Sequence, residues 1–388
     1  MTEADRPRPV TMRTVDLAGA QEPVDRRAMP GDFSISLAAT GEPDAVMNFP
    51  GRAERRQEMP GWEDTFSDII DFILRCTHLI WEEKAIGYLY EAYGSHIPVH
   101  SDSGTTYGRE PVIAGTTQFL AAFPDLRIIP DEIIWCTDGG NGFWTSHRCM
   151  LVGRNTGYSQ WGRPTGRKIA VRCIADCLSV GNQIIKEFVV YNTASMAAQL
   201  GYDVADLARR ERARRIAAGH MVDEQHGEPQ RILGQGRPAR ALDPRDAPFE
   251  IERFVRGTFD EIWNWRLLDR VEASYAPSLR FHGPTDREMY GLGDYKAWIL
   301  ALLAMFPDAA VTLDNAQWMG NPEEGYLVAT RWHLVGTHTG YGFYGPPTGR
   351  AVSMWGITHQ RIDDGRIVEE WTVNNEFEVL VQLAPDPQ

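Results

Sequence analysis

GTHTGYGFYGPPTGRAVSMWGITHQRIDDGRIVEEWTVNN, running from Gly336 to Asn375, decides how the rest of the chain is read. About 180 residues earlier, Gly153 to Asn192 reads GRNTGYSQWGRPTGRKIAVRCIADCLSVGNQIIKEFVVYN. The two share one skeleton: G-x-x-T-G-Y, then G-x-P-T-G-R, then a β-rich run closing on E-[FW]-x-V-x-N. One small domain written twice accounts for this most simply.

The correspondence extends upstream. Phe123-Pro124-Asp125 recurs as Phe306-Pro307-Asp308, and Tyr107-Gly108 as Tyr290-Gly291. His100 recurs as His282, each seven residues after an aligned Tyr (Tyr93 and Tyr275). Trp135, Gly142 and Arg148 recur as Trp318, Gly325 and Arg331. A repeat of this length is domain-sized, so the architecture is a duplication and not a solenoid.

Within each copy, helix-period segments come first. Ile69, Ile70, Phe72, Ile73, Leu79 and Ile80 fall on roughly one face. A helix over 110–123 must stop at Pro124, which cannot continue it. Period two then takes over in four strand candidates, 126–135, 143–153, 168–180 and 183–191, separated by Gly or Asn turns. Helices followed by a long meander predict an α+β fold with helices on one face of a curved sheet. The expected division is an irregular extension over 1–62, a first domain over 63–200, a helical and polar linker over 201–247, and a second domain over 248–388.

Composition bounds the function. The chain has 388 residues and a net charge of −14, with no basic stripe. Nucleic acid and anionic membrane surfaces are poor partners for it. No stretch approaches the ~18 apolar residues of a membrane span. The N-terminus MTEADRPRPV lacks the apolar core of a signal peptide. The five cysteines, at 76, 136, 149, 173 and 177, form no C-x-x-C pair. They read as buried reduced thiols and not as metal ligands, which predicts a cytoplasmic protein.

The residues Gly336-Thr337-His338-Thr339-Gly340, Gly345-Pro346-Pro347-Thr348-Gly349-Arg350 and Asp364 to Trp371 resemble the SnoaL-like polyketide cyclase family of the nuclear transport factor 2-like superfamily. The resemblance covers both repeats. It implies two tandem cone-shaped cups, each a bent antiparallel sheet closed by helices around a pocket. It implies cofactor-independent general acid/base chemistry on a small organic substrate: isomerisation, elimination or cyclisation. A non-catalytic small-ligand binder, or a hydrolase of epoxide-hydrolase type, is the alternative. The outer sheet faces would pack as an intramolecular pseudo-dimer, with a homodimer as a further option.

In such cyclases an Asp four residues past the E-x-W tryptophan serves as acid/base. The matching positions here are Asn192 and Asn375, which can orient a substrate but cannot take a proton. The base must then lie elsewhere. His100 and His282, on the first strand of each cup, are the leading candidates, because imidazole titrates near neutrality. Asp176 and His359 align mid-strand and are acid/base candidates if their face points inward; if it points outward they lie on the packing surface. The rows Arg172, Ile174, Asp176 and Trp355, Ile357, His359 each share one face.

Substrate-binding candidates are Asn192, Asn375, Tyr107, Tyr290, Tyr341 and His338 near the loops, with Arg148, Arg331, Trp355 and Trp371 on strands. For His338 a structural turn role is favoured. For Arg148 and Arg331 an ion pair with the aligned Glu187 and Glu370 is favoured, since a buried guanidinium needs a carboxylate or an anionic ligand. The second copy, nearer to the family pattern, is expected to be the working site. No metal ligand set is expected.

Overall fold

The structure, a computed structural model, describes residues 57–220 and 249–387. Most of the expected N-terminal extension and the latter part of the linker lie outside these residues.

The first repeat opens with α1 (Ile69–Thr77), whose cap Asp68 accepts a hydrogen bond from the Asp71 amide. Its apolar face buries Ile69, Phe72, Ile73 and Cys76. The helix then widens into a π turn over His78–Glu82. After α2 (Leu89–Ala92) come the short strands β1 (Pro98–Ser101) and β2 (Gly104–Tyr107), and then α3 (Arg109–Ala122). The long strands follow: β3 (Arg127–Thr137), β4 (Gly142–Arg154), β5 (Lys168–Val180) and β6 (Gln183–Tyr191). Helix α4 (Thr193–Gln199) closes the repeat, and α5 (Val204–Ala217) leads out of it.

The second repeat follows the same plan. It runs through α6 (Ile251–Phe259), a π turn at Asp260–Asn264, α7 (Asp269–Ser274), β7 (Tyr275–His282), β8 (Glu288–Tyr290) and α8 (Gly291–Met305). It ends with β9 (Ala310–Asn321), β10 (Gly325–Thr337), β11 (Ala351–Asp363), β12 (Arg366–Asn374) and α9 (Glu376–Leu383). Among the described residues no helix is long and apolar enough to cross a membrane.

Each repeat builds one six-stranded sheet, ordered β2-β1-β6-β5-β4-β3 and β8-β7-β12-β11-β10-β9. The expected antiparallel sheet is mixed at one edge, where β1 runs parallel to β6 and β7 parallel to β12. A parallel pair needs a long crossover between its strands, and the whole meander supplies it.

The repeated motif fixes the loop between β4 and β5. A Cβ added to Gly157 would lie 1.8 Å from the Ala121 carbonyl oxygen, and one added to Gly340 would lie 1.8 Å from that of Ala304. Only glycine lets the T-G-Y loop dock on the end of α3 or α8. In P-T-G-R the glycines Gly166 and Gly349 have φ of 70° and 69°, the left-handed region that suits glycine. The loop is closed by Asn155 donating its amide hydrogen to Arg167 and His338 donating its own to Arg350.

Alternation along the strands separates two faces. His147, Cys149 and Leu151 of β4, with Cys173, Ala175 and Cys177 of β5, face the helices inside the first cup. Ile174 and Val190 face outward and pack on Ile357 and Val373 of the second sheet. Polar contacts surround this seam. The Arg148 guanidinium lies 3.5 Å over the Trp371 ring, and the aligned Arg331 lies 3.5 Å over the aligned Phe188. The E-[FW] aromatic therefore serves as a platform for the other repeat's arginine, reciprocally, as a two-fold packing requires.

Candidate functional site

The first cup encloses a cavity of about 530 Å³, within the range of small-molecule pockets. Its walls are largely apolar and aromatic. Trp81, Phe119 and Tyr191 run along one side, with ring centroids 6.1 Å apart for Trp81–Phe119 and 6.4 Å for Phe119–Tyr191. The mouth is shared between repeats. Trp161 comes from the motif loop, Arg214 and Arg215 from α5, and Phe377 and Glu378 from α9 of the second repeat.

Three ionisable side chains inside have strongly shifted protonation. Glu187 of β6 is buried, and burial pushes its carboxyl up to about 7. The Tyr93 hydroxyl is the one hydrogen-bonding neighbour that opposes this rise. Asp102, in the β1–β2 turn, is also raised to about 7 by burial, although Thr193 Oγ1 donates to it at 2.6 Å. His147 of β4 is pushed down to about 4 by burial, with repulsion from His359 adding to it. Its imidazole is therefore neutral near pH 7, and its buried Nε2 has no hydrogen-bond partner. Four thiols line the same space, and burial drives that of Cys76 up to about 12. A thiol so raised is inert as a nucleophile. A carboxyl poised near neutrality in a largely apolar pocket is an efficient proton acceptor or donor.

The second cup is filled. Its cavity is only about 30 Å³, room for about one water. Trp298 and Trp332 occupy the positions held by Gly115 and Cys149 in the first cup, and both rings line the remnant. Its carboxyl, Glu370, is saturated: Tyr275 and Tyr295 donate to it at 3.1 Å each and Gln360 at 2.7 Å. In the first cup the Tyr295 and Gln360 positions are Val112 and Cys177. The second copy, expected to be the working site, holds the smaller cavity and the first copy the larger one, because fidelity to the motif fixes a loop and says nothing about what fills the cup.

The residues singled out from sequence lie elsewhere, and none of them lines either cavity. His100 stacks on Phe188 at 4.5 Å, and His282 on Trp371 at 5.3 Å, both on the outer face. His282 is further held by Glu288 at 2.5 Å and Glu369 at 3.1 Å. Asp176 and His359 are buried between the sheets. Ser146 Oγ joins them, 2.5 Å from Asp176 and 2.8 Å from His359 Nε2, while His359 Nδ1 meets Glu132 at 2.9 Å. Their shared face is the outward one.

Arg331 pairs with Asp176 at 3.2 Å, and Arg148 with Asp131 at 3.2 Å. The expected partners Glu187 and Glu370 point into the cups, because neighbouring strand positions face opposite ways. Trp355 packs against the apolar seam, and Trp371 lies beneath Arg148.

Asn192 and Asn375 cap α4 and α9. The Asn192 carbonyl accepts the Thr285 amide at 2.9 Å, tying down a loop of the second repeat, and the Asn375 carbonyl accepts the Trp355 amide at 2.9 Å. His338 is fully buried in its turn, with Nδ1 3.2 Å from Thr348 Oγ1. Tyr107, Tyr290 and Tyr341 are exposed on the surface.

Sequence reasoning passed over His147 and Asp102 and read Glu187 only as an ion-pair partner. One signal for Glu187 was present: an acidic residue kept at the same strand position in both copies. For Gly115 and Cys149 the signal was the tryptophans aligned with them.

Residues 253–383 match the family described as SnoaL-like polyketide cyclase. No functionally curated protein matches the chain. Among solved structures, a SnoaL-like protein from Jannaschia sp. CCS1 is 19% identical, covering 37% of this chain and 100% of its own, with a TM-score of 0.32. IdmH from Streptomyces antibioticus is 27% identical, covering 35% and 99%, with a TM-score of 0.30. AclR from Streptomyces galilaeus is 25% identical, covering 34% and 93%, also with a TM-score of 0.30.

Proposed function

We propose, from the match of residues 253–383 to the SnoaL-like polyketide cyclase family, that the first repeat is the working cup: a general acid/base enzyme acting on a small, largely apolar molecule. The observation that carries this reading is the buried Glu187 carboxyl in the 530 Å³ cavity, raised to about 7 by burial. Glu187 removes or returns a proton. Tyr93 hydrogen-bonds to it and orients it. His147 accepts a hydrogen bond from the substrate at Nε2 or donates one there, according to its tautomer. The aromatic walls exclude water and hold the substrate's apolar body. Isomerisation, elimination and cyclisation all need this one step, a proton taken from carbon and delivered again.

The probe 5-nitrobenzisoxazole tests the step without knowledge of the natural substrate. A base removes the proton on its ring carbon, the N–O bond breaks, and a cyanophenolate forms. The wild type should turn it over saturably, with a rate rising through about pH 7 as Glu187 ionises. Glu187→Gln should lower kcat by about 100-fold. A rate no greater than that of buffer, or one unchanged by Glu187→Gln, contradicts the proposal.

A further inference from the structure

The first cup differs from the second in what surrounds its carboxyl as well as in volume. Glu370 receives hydrogen bonds from two tyrosines and a glutamine. Glu187 has exchanged two of those donors for Val112 and Cys177, and it keeps the aligned tyrosine, Tyr93. A carboxylate offers about four acceptor positions, so most of the capacity of Glu187 faces the cavity unused. Asp102 adds a second carboxyl to the same space.

Among the described residues that line the cavity, no lysine or arginine sits beside them in the interior, and the interior imidazole, His147, is held neutral by burial. The arginines at the cavity edge are Arg214 and Arg215 of α5, and both are committed. Arg215 holds Glu378 at 2.6 Å and Glu211 at 2.7 Å, and Arg214 holds Glu211 at 2.7 Å. An anionic group brought into the cup would be desolvated without a cation to meet it. A cationic group would meet carboxyls and the faces of Trp81, Phe119 and Tyr191, and such faces attract ammonium groups.

We propose that the first cup takes an apolar molecule bearing a basic nitrogen, with the nitrogen seated at Glu187 against the aromatic wall. This rests on the reading of the first cup as the ligand site. The ammonium supplies the donors that Glu187 lacks, and its charge keeps the carboxyl ionised. The chemical class is a hydrophobic amine whose body fits a cavity of about 530 Å³.

Three probes of one shape separate the possibilities: 1-naphthylmethylammonium, 1-naphthalenemethanol and 1-naphthoate, titrated calorimetrically into the full chain at pH 7.5. The ammonium should bind at least tenfold tighter than the alcohol, and the naphthoate weaker than either. In Glu187→Gln the ratio of ammonium to alcohol affinity should fall toward one. Raised salt should leave the wild-type ratio standing, because a buried pair is poorly screened whereas attraction to a −14 surface is not.

Naphthoate binding as tightly as the ammonium overturns the proposal. So does an ammonium advantage that survives in Glu187→Gln and in the Glu187→Gln, Asp102→Asn double variant. If the alcohol binds and the ammonium gains nothing, the amine preference falls while the site stands. If none of the three binds, the site itself falls and the preference with it.

Discussion

Glu187 and Glu370 are the same residue in two settings, and the difference between them is local. Both are buried, and burial raises both carboxyls to about 7. The sign of the effect on stability follows from linkage. A carboxyl raised in the folded state contributes stability that is complete below its ordinary value and is lost as pH rises through about 7. Glu187→Gln removes that dependence. Its unfolding free energy should equal or fall below that of the wild type near pH 4.5 and exceed it by about 2 kcal/mol near pH 8.5. His147, held down to about 4, acts oppositely, losing stability as pH falls from its ordinary range. It is present in both proteins and cancels in the difference. Denaturant titrations at the two pH values check this, and a difference that is flat with pH would refute the burial argument for Glu187.

At the scale of elements, the motif that identifies the family proves to be a fastening. Gly157 and Gly340 let the loop dock on a helix end, while Asn155 and His338 hold it closed through different side chains. This much was legible in the sequence, because glycines and repeats report backbone geometry directly. The inner and outer faces of the strands were not legible. Period two shows that Arg172, Ile174 and Asp176 share a face, but the curvature that makes one face concave depends on bulges and on the helices packed above it. The candidates Asp176, His359, His100 and His282 were all read from the side that became the seam or the outer wall.

Helix α5 was legible as a helix but not as part of the mouth. Its Arg212, only 1% exposed, reaches Asp386 at 2.7 Å and the carbonyls of Val381 and Gln382 at the end of α9. A guanidinium there satisfies carbonyls the helix cannot, and it favours the negative end of the helix. Arg212→Ala should cost about 2 kcal/mol in a denaturant titration. It should also loosen α5 from α9, which faster amide exchange over 204–217 would report. Unchanged exchange there would remove Arg212 from this role.

For the whole molecule, duplication has produced one cup with a large cavity and one that is nearly filled. The sheets meet back to back, with Arg148 over Trp371 and Arg331 over Phe188. The second repeat also lends Phe377 and Glu378 to the mouth of the first. Its own interior is closed by Trp298 and Trp332, where the first repeat has Gly115 and Cys149. The first cup is thus an open site held by a filled one. The most direct test is the stoichiometry of 1-naphthalenemethanol binding, measured by calorimetry on the wild type and on Gly115→Trp and Cys149→Trp. Gly115 is exposed at the cavity edge, with nothing within 4 Å of an added Cβ, so its variant should fold normally. The account predicts one site per chain in the wild type and none in either variant that keeps the wild-type melting temperature. Two sites per chain, or one that persists in Gly115→Trp and Cys149→Trp, would contradict it.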